Sequence, residues 1–141
     1  MVIQRWQTVW LLVAAVLVAL FCFVPMAVVP GEAAGETSLL MPKDLPVILI
    51  VNCVTVVLLV LGILMFKNTA RQKMLALVSM LLIAVTALTE TGVLYCWDTT
   101  NGNVEWMGSI FLLVGAFCFT FLAHKAIRHD ERLLRAADRL R

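Results

Sequence analysis

Glu90 is the one ionisable side chain inside the long apolar runs of this sequence, and Asn52, in another run, is the residue placed to meet it. Counted from Lys73 at about 1.5 Å per helical residue, Glu90 sits roughly 25 Å along its run, and Asn52 lies about 9 Å below the corresponding end of its own. An ionisable group within a membrane span is a functional hypothesis by default, because an unpaired charge there is expensive. Two readings follow. One is a structural polar pair of Asn52 with Glu90, close to an interface where a partly solvated carboxylate is tolerated. The alternative is a small proton- or cation-coupled transporter using Glu90. An exporter of that kind would carry its acid near mid-depth in the first span, and residues 9–29 contain none.

The other reactive side chains are sparser still. Cys22, Cys53, Cys96 and Cys118 lie in or beside four separate apolar runs, and no C-x-x-C occurs. That spacing signals neither a metal site nor a redox motif. A quinone-linked thiol oxidase would need paired cysteines on the outer side, where Cys96 stands alone. The cysteines therefore read as small apolar residues. With no catalytic residue, metal ligand set or cofactor motif to point to, the chain is not read as an enzyme.

A third pattern is charged. Residues 124–141 follow an apolar run without an intervening Pro or Gly and are rich in Ala, Leu, Arg and Glu, which are good helix formers. At about 100° per residue, Lys125, Arg128, Arg132, Arg135 and Arg139 fall within an arc of roughly 80°. Ala126, Leu133, Leu134, Ala137 and Leu140 occupy the other side. Glu131 is spaced to pair with Arg135 at i,i+4. Such a stripe is a solvated face with snorkelling side chains, or a surface for anionic lipid or an acidic protein partner. Basic stripes also attract nucleic acid, but no aromatic or groove-reading pattern accompanies this one, and nucleic acid is not expected. Asp130 falls on the apolar side and needs a donor; Arg5 and Arg71 are the candidates.

The elements that carry these residues follow from composition. The chain has 141 residues, 62% of them apolar and 14% charged. A soluble domain has about 45–50% and 25%. The apolar excess is too large for a core of this size, so the bilayer must act as solvent. About 20 apolar residues cross a hydrocarbon core of about 30 Å, and four runs qualify, at about 8–29, 46–66, 74–97 and 106–123. In the first, Pro25 is expected to bend the helix and Pro30-Gly31 to stop it. The run is too long for a signal-peptide core and lacks a clean A-x-A site, so it is expected to remain uncleaved. Asp44 is expected to cap the second helix with Pro46 in its first turn, and Asn101-Gly102 marks a turn after the third. Small residues (Ala15, Ala19, Gly108, Gly115) suit close helix packing.

These runs predict an all-α membrane protein: one domain over 1–141, four transmembrane helices in an up-down-up-down bundle, and the fourth helix extended as a cytosolic amphipathic helix over 124–141. Ten of the eleven Lys and Arg fall on the side of the N-terminus, the 67–73 link and the tail. Lys43 alone faces six acids on the other side. The positive-inside rule then puts both termini in the cytosol. Tyr95, Trp97 and Trp106 would form an outer aromatic belt, and Trp6 and Trp10 an inner one.

The start Ile3, Gln4, Arg5, Gln7, Thr8 resembles the Ile-Gln-Arg-x-Gln-Ser/Thr opening of an uncharacterised four-span membrane family of the Bacteroides group of bacteria. The close, from Ile127 and Arg128 through Asp130, Glu131, Leu133 and Arg135 to Ala137, Asp138, Arg139 and Arg141, is similar to that family's terminal motif. Phe66, Lys67, Asn68, Arg71 and Gln72 resemble its inner link. The resemblance covers the whole chain and implies an inner-membrane protein of a Gram-negative bacterium. It supplies no substrate and no catalytic residue. The patterned residues all lie on the cytosolic rim. The expectation is an accessory or scaffold component, bound to membrane lipid and to a membrane-protein partner or its own copy. Gln4, Arg5, Gln7, Asn68, Arg71 and Gln72 are expected to gather around Asp130, Glu131 and Asp138 and fix the tail's exit. Arg128, Arg132, Arg135, Arg139 and Arg141 would be left to interact.

Overall fold

The computed structural model describes residues 2–31, 33 and 35–141, the side chains of residues 2–5 lying outside that description. Four helices dominate it: α1 (Val2–Phe21), α2 (Pro46–Leu64), α3 (Thr69–Asn101) and α4 (Ile110–Arg139). Each packs against two others in a closed cycle, α1 on α2, α2 on α3, α3 on α4 and α4 on α1. Trp10 of α1 stacks on Phe119 of α4 with ring centroids 5.5 Å apart, so Trp10 packs between helices, while Trp6 remains exposed.

Inward faces recur at helical spacing. On α3 they are Gln72, Ala76, Ser79, Ile83, Thr86, Glu90 and Leu94; on α4 they are Leu113, Ala116, Thr120, Ala123 and Ile127. Four of the buried hydroxyls are satisfied within their own helices. Thr55, Ser79, Thr86 and Thr120 each donate to the carbonyl four residues back, which satisfies the hydroxyl within its own helix. Large apolar side chains such as Leu12, Ile50, Leu81 and Phe111 point outward. α2, α3 and α4 are long and apolar enough to cross a membrane.

The first run departs from expectation. Its helix ends at Phe21, and residues 27–30 are extended instead of helical, so no helix covers 8–29. The cause is local. Pro25 cannot donate to a helix, and the next residues, Ala27–Pro30 (β1), include two β-branched valines that fit a strand. Strand β1 pairs antiparallel with β2 (Thr37–Leu40), from Ala27↔Leu40 to Pro30↔Thr37. Its other edge pairs with β3 (Glu105–Trp106). Pro30 lies beyond the reach of β3, at an end where its missing N–H does no harm.

The chain is therefore mostly helical but not all-α. The three-stranded sheet caps one end, and Ala27, Val29 and Leu40 pack with Leu94 beneath it. Leu40 belongs to this small core.

The remaining boundaries shift for similar reasons. Asp44 accepts from the Met41 amide within a short 3-10 turn (Pro42–Asp44), and Leu45 takes the cap position of α2. Asn68 caps α3 by accepting from the Arg71 amide, which draws Arg71 and Lys73 into the helix. At the far end Gly102 closes α3 with φ +65°. The fourth helix begins at Ile110 and not at residue 106, because Glu105–Trp106 is held in the sheet and Gly108, at φ +76°, turns the chain.

Candidate functional site

At the sheet end, α3 carries Glu90 inward, 1% exposed, where a partly solvated carboxylate was expected. Ser109, in the turn that leads into α4, donates its hydroxyl to Oε1 of Glu90. The other oxygen, Oε2, is buried with no partner among the described residues. Asn52 does not pair with it. The Asn52 amide donates to the Val18 carbonyl and to Cys22 Sγ, each at 2.8 Å, both at the end of α1. The expected Asn52–Glu90 pair is thus two separate contacts on different helix pairs. No three His, Cys, Asp or Glu side chains converge among the described residues.

The opposite end is richer in charge. Glu131 of α4 accepts from Lys73 Nζ at 2.6 Å and from Arg135 Nη2 at 2.6 Å. The second contact is the i,i+4 pair that the spacing predicts. The first joins α4 to α3 through Lys73, which in the sequence stands out only as part of the basic 67–73 link. Its signal was present: Lys73 is the last charge before the apolar part of α3, level with the start of the tail. The hydrogen bond from Lys73 holds the Glu131 carboxyl below the ordinary carboxylate range. Desolvation opposes this shift, while the charges of Lys73 and Arg135 reinforce it.

Lys73, Arg128, Glu131, Arg132 and Arg135 line a cavity of about 210 Å³. Four cations thus surround one carboxylate, and both oxygens of that carboxylate are engaged.

The wider cluster expected here is only partly assembled. The side chains of Gln4 and Arg5 lie outside the described residues. Gln7 and Gln72 are buried between helices, and Gln7 Nε2 has no partner among the described residues. Arg71 is exposed at the start of α3. Asp130 is half-buried and Asp138 exposed, and neither forms an ion pair among the described residues. Among the described residues, the acid that ties the tail to another helix is Glu131. A side chain missed altogether is His124, whose Nδ1 is buried without a described partner; its place at the end of an apolar run gave no signal of that.

Beyond this point α4 continues alone. Every residue over 132–141 is exposed, including Leu134 at 52% and Leu140 at 90%. Arg132, Arg135, Arg139 and Arg141 extend beside them.

Long apolar helices with apolar side chains turned outward are compatible with a membrane protein. The chain belongs to the family described as a domain of unknown function (DUF4293), which matches residues 3–140. No curated protein and no solved structure is significantly similar to it.

Proposed function

We propose that this chain is a non-enzymatic scaffold of a bacterial inner membrane, with four spans, both termini in the cytosol, and α4 extended to present a helix to a protein partner. The observation that carries the reading is the uninterrupted run of α4 past its last buried residue, Ile127, to Arg139. At about 1.5 Å per residue, the eight residues of α4 after Glu131, the last to touch α3, reach roughly 12 Å beyond the packed helices. A helix exposed on all sides, with leucines on one flank and arginines on another, is half of an amphipathic contact. The partner that suits it offers an apolar groove edged with acids.

Three observations support the membrane arrangement. Nine basic residues with described side chains gather at the end away from the sheet. Val9, Leu12, Val16 and Leu20 form an exposed apolar stripe along α1, as a lipid-facing helix requires. Helix α1 itself runs 20 residues, Val2–Phe21, which at about 1.5 Å per residue is about the 30 Å of a hydrocarbon core.

Purification of the full chain from native membranes in mild detergent tests the proposal. A stoichiometric partner should accompany the unaltered chain and be lost on Leu134→Glu with Leu140→Glu, both exposed positions. A self-contained oligomer whose stability depends on an added cation would overturn it. That outcome would favour transport at Glu90, the second reading, which rests on the unpartnered Oε2; Glu90→Gln should then abolish ion-coupled uptake in proteoliposomes.

A further inference from the structure

The basic cavity at the root of the tail is a different object from the exposed helix beyond it. We propose that Lys73, Arg128, Arg132 and Arg135 form a binding site for a phosphate group, presented by an anionic phospholipid of the cytosolic leaflet.

Charge is the first argument. Glu131 neutralises one of the four cations, and its oxygens are already occupied by Lys73 and Arg135. Three positive charges remain around a concave space of about 210 Å³ whose described lining holds no second acid. Guanidinium groups one and two turns apart, from Arg128 to Arg132 and Arg135, share one flank of α4 and present forked donors that match phosphate oxygens.

Order is the second. The Lys73–Glu131–Arg135 chain of contacts joins two helices, so two of the four cations are positioned before any ligand arrives. Lys73 is only 30% exposed, unlike a freely solvated surface lysine.

Depth is the third. On α3 the residue after Lys73 is Met74, exposed, which begins the apolar stretch; on α4 the apolar run ends at Ala123, five residues before Arg128. Both helices therefore set the cavity just outside the apolar slab, at the level of lipid headgroups. An anionic leaflet concentrates phosphate there. Arg139 and Arg141, farther along α4, lie beyond that level. The inference shares the membrane orientation of the proposed function but not its protein partner.

Native mass spectrometry of the detergent-solubilised full chain tests it. Phosphatidylglycerol, phosphatidylcholine and inorganic phosphate are titrated against the unaltered chain, Arg128→Gln/Arg132→Gln, and Arg139→Gln/Arg141→Gln. All four arginines are exposed, and both pairs remove the same charge. Phosphatidylglycerol should be retained over phosphatidylcholine, with apparent affinity at least tenfold weaker in the Arg128/Arg132 variant and little changed in the other. Inorganic phosphate bound with the same dependence, while the lipid is not, supports the phosphate site and assigns it a soluble source. Equal weakening in both variants would mean a diffuse basic stripe and would overturn the site, as would no weakening in either. Loss of the protein partner on changing Leu134 and Leu140, with lipid retention intact, separates failure of one proposal from failure of the other.

Discussion

Lys73 and Glu131 are 58 residues apart in sequence and 2.6 Å apart in space, and they are the only ion pair between two helices among the described residues. The contact ties the first turns of α3 to α4 at the point where α4 leaves its neighbours. Glu131 is held on its other side by Arg135, 75% exposed, whose long side chain contributes less than its distance suggests because solvent screens it. The interhelical half is the one that orients the tail.

A pH dependence with a definite sign follows. The Glu131 carboxyl titrates below the ordinary carboxylate range in the folded chain, chiefly through its hydrogen bond from Lys73. Its contribution to stability is therefore fully present above the unfolded carboxylate value and lost as pH falls through the lowered folded one. Thermal unfolding of the unaltered chain and of Glu131→Gln, compared between neutral and strongly acid pH, should show a constant gap that closes only in acid. A gap that closed between pH 8 and pH 6 would assign the effect to another group.

Glu90 and Ser109 give a prediction of a different kind. Ser109 is the one described partner of a buried carboxyl, so Ser109→Ala leaves that group without a donor. Stranding a buried polar group costs about 1–3 kcal/mol, whereas replacing both partners by apolar groups is nearly neutral. The double change Ser109→Ala with Glu90→Leu should therefore be more stable than Ser109→Ala alone, read as the unfolding midpoint in detergent. Simple addition of the two single effects would show that the contact holds nothing together.

The helices were legible because their signals are long. Apolar runs of this length admit few alternatives, and the basic stripe of the tail needs only helical spacing to be seen. The sheet was not legible for the opposite reason. Strand β1 is four residues, Ala27–Pro30, at the end of a run whose every residue also suits a membrane helix. What decides its state is pairing with Thr37–Leu40 and with Glu105–Trp106, the latter more than 70 residues away, and local pattern carries no record of such partners. The candidate site was half legible: the pairing of Glu131 with Arg135 is local, while its pairing with Lys73 depends on how α3 and α4 align. Asn52 and Glu90 lie at similar depth but do not pair, because depth does not say which helix an inward side chain meets.

Asn52 has a task of its own at the C-terminal end of α1. A helix leaves its last four carbonyls without an internal donor. In α1, Ala19 and Leu20 are satisfied by the amides of Cys22 and Phe23, and Val18 is satisfied by the Asn52 side chain at 2.8 Å. Asn52→Leu should destabilise the chain by about 1–3 kcal/mol, since a buried carbonyl then loses its donor in an apolar setting. Asn52→Asp keeps the shape but offers only acceptors in its ionised form, so it should be worse than Leu. The Asn52→Leu effect should add to that of Glu90→Gln within about 0.5 kcal/mol, as expected for sites that share no partner. Strong coupling between the two in a double-mutant cycle would restore the polar pair that the geometry separates.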